Sequence, residues 1–127
     1  MNEIQYKKTV LIVDDDKQIH DLLGRTLKLA GFDLMHAKNG QEALRAIKEN
    51  QPDIILLDVH MPVMDGIEVL TQIKSDDTTK SIPVIMLTSL EDSPEHVETA
   101  KNFGAADFFS KDTPLSEIIN RVKEVLD

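Results

Sequence analysis

Short apolar runs alternate with helical patterns of hydrophobic residues five times along this 127-residue chain. The runs 54–57 and 84–87 are apolar at every position, which is typical of strands covered on both faces in a parallel sheet. After each run, apolar residues recur every three or four positions, as on the buried face of an amphipathic helix. Five such units predict an α/β fold of parallel βαβ units with right-handed crossovers. The predicted strands are 9–13, 33–37, 54–57, 84–87 and 107–110.

Glycine and proline mark the predicted helix boundaries. Gly31 ends the first helical pattern, and Pro52 prevents the second from continuing. The polar segment 75–81 predicts a loop, while Pro94 and Pro114 suit the first turns of the last two helices. The inner face of the fourth helix is predicted to consist of Val97, Ala100 and Phe103.

Length and composition indicate one globular domain spanning 1–127, with a core over about 9–126. The chain has no cysteine, which excludes disulfides and cysteine-ligated zinc. A net charge of -9 argues against direct binding of nucleic acid. No apolar run approaches the roughly 20 residues that span a bilayer, and residues 1–8 lack the apolar region of a signal peptide. We therefore predict a cytoplasmic domain with no membrane contact.

Polar residues follow four of the predicted strands at the point where each strand ends. They are Asp14-Asp15-Asp16, Asp58, Thr88-Ser89 and Lys111. Because ligands of open α/β sheets bind beyond the carboxyl ends of the strands, we expect these residues to form a site. Clustered carboxylates suit Mg²⁺, which prefers oxygen ligands, and one carboxylate could act as a nucleophile toward phosphorus. Lys111 would neutralise the phosphoryl charge and the Thr88 hydroxyl would bond a phosphate oxygen.

These residues resemble the receiver domains of two-component response regulators, a family that includes the single-domain chemotaxis regulators. The resemblance covers about 9–126 and consists of Asp14-Asp15 after the first strand, the segment Asp58-x-x-Met61-Pro62-x-Met64-Asp65-Gly66, then Thr88 and Lys111, in that order. It implies a flavodoxin-like three-layer sandwich with a five-stranded parallel sheet in order 2-1-3-4-5 and five helices. The strand order is implied by the resemblance, since the chemotaxis regulators of this family are a well-known example of it.

The resemblance implies a role for each site residue. Asp58 is the phosphoacceptor; Asp15 is a direct ligand of Mg²⁺ and Asp14 acts partly through water, with Mn²⁺ as an alternative ion. The backbone carbonyl of His60 completes the metal ligands. Thr88 and Lys111 bind the phosphoryl group, and Thr88 also acts as a switch with the aromatic Phe108. Phosphorylation then shifts the population between two conformations.

The implied partners are a histidine kinase or histidine phosphotransfer protein as donor, and an output protein or output domain as target. The domain is either a monomer or a phosphorylation-dependent dimer. The domain is not expected to be an enzyme, because it mediates only its own phosphorylation and dephosphorylation. Two alternatives stay open: a haloacid-dehalogenase-like phosphatase, whose second aspartate is absent after Asp58, and a receiver-like binding module that takes no phosphate. A P-loop enzyme is excluded because its Gly-rich motif is missing.

The sequence departs from the family at the end of the fifth strand. Asp112 follows Lys111 where the family usually has a proline, often after a cis bond, and a cis bond here would cost roughly 3 kcal/mol. We expect the geometry to differ at this point. The polar segment 91–94 predicts a long or mobile loop. His60 and Leu90 lie at positions that tune the phosphoryl lifetime in the family.

Other polar residues have simpler interpretations. Asp16 is predicted to cap the first helix, and Asp65-Gly66 to form a turn and cap before the third. His20, His36 and His96 show no ligand spacing with one another, so no zinc site is predicted.

Overall fold

A computed structural model of the chain describes residues 7–88 and 94–127, without the side chains of 94–96. Five strands and five helices alternate within these residues. The strands are β1 Thr9–Val13, β2 Asp33–Ala37, β3 Ile54–Asp58, β4 Val84–Thr88 and β5 Asp107–Ser110. The helices are α1 Lys17–Leu29, α2 Gly40–Glu49, α3 Gly66–Ser75, α4 Pro94–Asn102 and α5 Leu115–Leu126. No helix in the described ranges is long and apolar enough to cross a membrane.

All four strand pairings are parallel, and the sheet has the order β2-β1-β3-β4-β5. This arrangement confirms the predicted fold class. β3 and β4 are each one residue longer than the apolar pattern predicted, since Asp58 pairs with Leu87 and Thr88 pairs with Ser110. Two functional candidates therefore belong to the sheet itself rather than to the loops that follow.

The sheet separates two apolar clusters, one on each face. Leu11, Ile55 and Leu57 point into the cluster that α2, α3 and α4 cover. Val10 and Ile54 point into the opposite cluster, which α1 and α5 cover. Alternating side chains of a strand face opposite sides, so a strand buried on both faces needs apolar residues at every position. This explains the continuous apolar runs of β3 and β4.

Side-chain caps set the starts of three helices. Asp16 accepts a hydrogen bond from the backbone N–H of Gln18, and Asp65 accepts one from that of Glu68. Both predicted caps are thus confirmed, and Asn39 caps α2 in the same way. The prediction for Phe103 was wrong: it lies just beyond the end of α4 and is 45% exposed.

Gly66 has a steric role that goes beyond turn formation. A Cβ atom at this position would lie 2.2 Å from the backbone oxygen of Asp58 and 2.9 Å from Cα of Val59. The backbone N–H of Gly66 also donates to the carbonyl of Val59 at 2.8 Å. The start of α3 thereby packs directly against the end of β3, where Asp58 lies, and only glycine permits that distance.

We expect Gly66→Ala to lower the free energy of unfolding by about 1–3 kcal/mol, because the added methyl group meets backbone atoms that cannot rotate away. Chemical denaturation followed by circular dichroism measures this change. Gly31→Asn is the control, because Gly31 has φ +100, has open space around it, and is replaced by a residue that tolerates positive φ. Equal stability of Gly66→Ala and the wild type would contradict the steric role.

Candidate functional site

The register of β1 against β3 brings two carboxylates together. Val13 pairs with Leu57, so the next residue on each strand, Asp14 and Asp58, lies at the same edge of the sheet. Asp14 is 1% exposed and Asp58 is 3% exposed, whereas Asp15 is open to solvent. One carboxylate oxygen from each of the three residues lies within 4.8 Å of the others. The predicted acidic cluster is therefore present, and two of its three members are buried.

Backbone contacts hold the acidic loop between β1 and α1. The N–H of Asp14 donates to the carbonyl of Ala37 at 3.1 Å, and the N–H of Asp16 donates to Oδ1 of Asp14 at 2.8 Å. Oδ2 of Asp14 is buried, and no aligned hydrogen-bond donor reaches it within the described part of the chain. Its close contact is ionic, with the ammonium group of Lys111.

Lys111 connects the two buried carboxylates. Its Nζ atom lies 2.6 Å from Oδ2 of Asp14 and 3.4 Å from Oδ1 of Asp58. The backbone N–H of Lys111 donates to the carbonyl of Thr88 at 2.6 Å, which continues the β4–β5 pairing to the end of the sheet. One lysine side chain thus balances part of the charge of two carboxylates, one just after β1 and one at the end of β3.

The bond between Lys111 and Asp112 is trans, since the described residues include no cis peptide bond. The chain turns immediately after Lys111. The N–H of Asp112 donates to Oγ of Ser110 at 3.1 Å, and that of Thr113 donates to the carbonyl of Ser110 at 3.0 Å. This turn places Lys111 over the carboxylates without a proline after it.

Burial and charge repulsion make Asp58 a weak acid in the absence of metal. Burial, and after it the charge of Asp14, raises the pKa of Asp58 to about 6, although Lys111 and the His60 N–H oppose the shift. Burial also lowers the pKa of Lys111, but contact with Asp14 and the charge of Asp58 outweigh it, so the pKa of Lys111 is raised overall. Lys111 therefore stays protonated, while the carboxylates retain an excess of negative charge.

An open cleft of about 730 Å³ gives access to this edge of the sheet. Asp58 reaches the cleft between Asp15, His60 and Lys111. The side chain of His60 is exposed, as predicted, and the backbone N–H of His60 donates to Oδ1 of Asp58 at 3.4 Å. Thr88 is buried at 2% exposure, at the end of the neighbouring strand.

Phe108 lies on β5 beside Met86 of β4, and its side chain is half-buried against the cluster that α2, α3 and α4 cover. The predicted loop at 91–94 and the tuning residue Leu90 largely lie outside the described residues: only the backbone of Pro94, at the start of α4, is described.

The donor set fits a hard divalent cation. Mg²⁺ and Mn²⁺ take carboxylate oxygens, and Mg²⁺ is usually held by one or two carboxylates together with water and phosphate oxygens. The three clustered carboxylates outnumber the one ammonium group of Lys111, and a cation would oppose the burial and the repulsion that raise the pKa of Asp58.

Two histidines near the acidic loop were not identified from the sequence. Nε2 of His20 lies 2.8 Å from the carbonyl oxygen of Asp14, and Nδ1 of His20 lies 2.8 Å from Nδ1 of His36. The two residues are 16 positions apart, a spacing from which no relation between them was predicted. Only the packing of α1 beside β2 brings them into contact, and the linear spacing carries no signal for it.

Comparison with known proteins identifies the class. Residues 10–123 match the response regulator receiver domain family, and the chain belongs to that family. It is a receiver domain of the two-component response regulators, which are signalling domains. The match favours neither the haloacid-dehalogenase-like phosphatase nor the receiver-like binding module that takes no phosphate.

Individual relatives agree with this class. The transcriptional regulatory protein PrrA of Mycobacterium tuberculosis is 40% identical over 117 residues, which cover 92% of this chain and 49% of PrrA. The phosphate regulon transcriptional regulatory protein PhoB of Pseudomonas aeruginosa is 37% identical over 119 residues, covering 94% and 52%. The structure of the chemotaxis protein CheY4 of Vibrio cholerae superposes with a TM-score of 0.89 at 33% identity, covering 95% and 100%. The chain thus spans about half the length of the curated relatives it matches.

We expect Asp58→Asn to stabilise the metal-free protein at neutral pH by about 1–2 kcal/mol, after allowing for solvent screening at the cleft. Below the ordinary pKa of 3.8 the carboxyl group is protonated in both the folded and unfolded chain. Between 3.8 and about 6 the unfolded chain releases this proton first, so the wild type loses stability as pH rises. Asparagine removes that loss, and the advantage of the variant should appear across this pH window.

Urea denaturation in chelator-treated buffer at several pH values measures the effect. Asp33→Asn, which removes an exposed carboxylate at the start of β2, controls for the loss of one negative charge. A variant Asp58→Asn that is no more stable than the wild type at pH 7 would contradict the raised pKa of Asp58, which burial and the charge of Asp14 cause.

Proposed function

We propose that Asp58 is the phosphoacceptor of this receiver domain and that Asp14, Asp15, Thr88 and Lys111 serve the transfer. The observation that carries this proposal is the contact of Lys111 with both buried carboxylates beside an open cleft. Asp58 is the member of the cluster that is both buried and reached from the cleft. An incoming phosphoryl group would meet its carboxylate with the ammonium group of Lys111 alongside.

The transfer exchanges one bond to phosphorus for another. An oxygen of the ionised Asp58 carboxylate forms a bond to phosphorus while the phosphorus–nitrogen bond of a phosphohistidine breaks, and the departing imidazole takes up a proton from solvent. Lys111 stabilises the negative charge on the phosphoryl oxygens, and the Thr88 hydroxyl donates a hydrogen bond to one of them. Later attack by water returns the carboxylate and inorganic phosphate, so the domain acts only on its own phosphoryl group.

Asp14, Asp15 and Asp58, together with the backbone carbonyl of His60, would hold Mg²⁺, or Mn²⁺ in its place. When bound, the ion supplies positive charge that offsets the repulsion among the carboxylates and the charge of the phosphoryl group. Asp15 is suited to direct ligation because its side chain is exposed. The carboxylate of Asp14 already contacts Lys111 and the backbone N–H of Asp16, so Asp14 would contact the metal ion partly through a water molecule.

Phosphorylation would change the conformation of the domain by redirecting Lys111. A phosphoryl group on Asp58 competes for the ammonium group that contacts Asp14. Thr88 would move toward the phosphoryl group, and its carbonyl is bonded to the backbone of Lys111 at the end of β5. Phe108 lies on the same strand, so the change would reach the surface of α4, β5 and α5. The result is a population shift between two conformations.

The donor would be a histidine kinase or a histidine phosphotransfer protein, and the reader an output domain or separate output protein in the cytoplasm. The similarity to PrrA and PhoB, both described as transcriptional regulatory proteins, supports a role in signalling to an output. The acidic net charge of -9 favours protein partners over nucleic acid for residues 1–127 themselves, which we treat as a single receiver domain. Monomer and phosphorylation-dependent dimer are both compatible with this role.

Incubation with acetyl phosphate and Mg²⁺ should add one phosphoryl mass to the wild type, and intact-protein mass spectrometry measures it. Asp58→Asn should add none, because an amide is not a nucleophile toward phosphorus. Asp33→Asn should be modified like the wild type. Modification of Asp58→Asn to the same extent would show that another residue accepts the group.

Thr88→Ala should separate phosphorylation from the conformational change. We expect this variant to take up the phosphoryl group, while the phosphorylation-dependent NMR shifts of Phe108 and α5 fall by about half or more. The reason is that the variant lacks the hydroxyl group that would move toward the phosphoryl group. Thr71→Ala, which removes a hydroxyl on the exposed side of α3, should keep the full shifts. Full shifts in Thr88→Ala would contradict the switching role.

A further inference from the structure

His20 and His36 form a close imidazole pair beside the acidic loop. His20 belongs to the first turn of α1, and His36 lies on the edge strand β2. Their Nδ1 atoms are 2.8 Å apart, with ring centroids 4.9 Å apart and ring planes inclined by 54°. The other nitrogen of His20, Nε2, lies 2.8 Å from the carbonyl oxygen of Asp14.

The contact with Asp14 determines which nitrogen of His20 is available. A carbonyl oxygen only accepts hydrogen bonds, so Nε2 of His20 carries the proton and donates. Neutral His20 therefore presents the lone pair of Nδ1 to His36. A metal-ligating histidine typically donates its other ring N–H to a carbonyl or carboxylate, which orients the ring. His20 already has that arrangement, and its other ring nitrogen, Nδ1, is directed toward the imidazole of His36.

We propose that His20 and His36 bind a divalent transition-metal ion with tetragonal geometry, Cu²⁺ or Ni²⁺, through their Nδ1 atoms. Two nitrogens 2.8 Å apart, each about 2.0 Å from one ion, subtend an angle of about 90°. That angle matches adjacent positions of a tetragonal complex, the geometry that Cu²⁺ and Ni²⁺ adopt with nitrogen and oxygen ligands. A tetrahedral Zn²⁺ site would need the nitrogens about 3.3 Å apart, so Zn²⁺ would require a larger turn of the His36 ring.

Binding requires a small rearrangement of His36. In the metal-free pair its Nδ1 carries the proton that bridges to His20, because His20 has only a lone pair to offer there. On binding, this proton passes through solvent to Nε2, and the Nδ1 lone pair becomes free. His36 is exposed, so its ring can turn toward the ion, while the bond of His20 to Asp14 is kept.

The surroundings favour a cation with open coordination positions. The pair lines a cleft of about 480 Å³ whose acidic lining residues are Asp14, Asp15, Asp21 and Glu42, and Lys17 and Lys38 also line it. No third ligand side chain lies close enough to both histidines to complete a cluster in the described ranges, where the sole such cluster is Asp14, Asp15 and Asp58. Water would therefore fill the remaining positions.

This site is chemically distinct from the carboxylate site. Imidazole nitrogen suits Cu²⁺ and Ni²⁺, whereas Mg²⁺ takes oxygen ligands. An excess of Mg²⁺ should therefore occupy the carboxylates and leave the histidines free. The inference does not depend on the proposed phosphoryl transfer, although His20 contacts the carbonyl of Asp14 and the histidines share their cleft with Asp14 and Asp15.

Calorimetric titration of the full chain with Ni²⁺, in excess Mg²⁺, tests the proposal. We expect one Ni²⁺ per chain, and a loss of affinity of about tenfold or more in His36→Gln and in His20→Gln. His96→Gln, which removes the histidine of α4, should bind like the wild type. Electron paramagnetic resonance of the Cu²⁺-loaded protein should show two nitrogen ligands, and one or none in His36→Gln.

Unchanged Ni²⁺ affinity in folded His36→Gln would overturn the proposal. A Cu²⁺ spectrum with oxygen ligands alone, or complete displacement of Ni²⁺ by Mg²⁺, would also overturn it, because the ion would then occupy the carboxylate site. Circular dichroism verifies that each variant is folded. Phosphorylation of His36→Gln by acetyl phosphate, if it proceeds as in the wild type, separates failure of this site from failure of the phosphoacceptor.

Discussion

The burial of Asp14 and Asp58 side by side at one edge of the sheet is the constraint on which the candidate site of this receiver domain depends. Parallel pairing of β1 with β3 places both carboxylates at one edge, and both are almost completely buried. Lys111 contacts the two together, but one ammonium group leaves them with excess negative charge. Burial, and after it the charge of Asp14, raises the pKa of Asp58, which shows that positive charge is in short supply at this edge. The fold thus creates an acidic cluster whose donor set fits a cation.

The rest of the structure fixes the positions of these carboxylates. β3 and β4 are buried along their whole length, so the ends that carry Asp58 and Thr88 cannot move apart without exposing the core. Gly66 lets the start of α3 pack on the backbone of Asp58. Lys111 differs, since it is attached to the end of a short, partly buried strand and a tight turn. The carboxylate of Asp58 is thus held by a fully buried strand, whereas the lysine that contacts it follows a partly buried one.

The trans bond after Lys111 shows how this chain places its lysine without the proline that usually follows it in the family. A departure was expected here because proline is missing, and the chain does take its own course, with Ser110 stabilising a turn through Asp112 and Thr113. The ion pairs of Lys111 nevertheless form. The position of the ammonium group therefore depends on the β4–β5 register and the length of the lysine side chain.

The sequence alone determined the alternation of strands and helices. A strand that is buried on both faces is a continuous apolar run, and a helix that is buried on one face has apolar residues at helical spacing, so both patterns can be read from the sequence. With the family resemblance it also determined the strand order, the receiver class and the acidic, threonine and lysine set. The tertiary structure decided what depends on distance between chain segments: which carboxylates are buried, that Lys111 contacts both, that Gly66 must lack a side chain, and that Phe103 is exposed. His20 and His36 belong to that second group, because contact across 16 positions arises only when α1 packs beside β2.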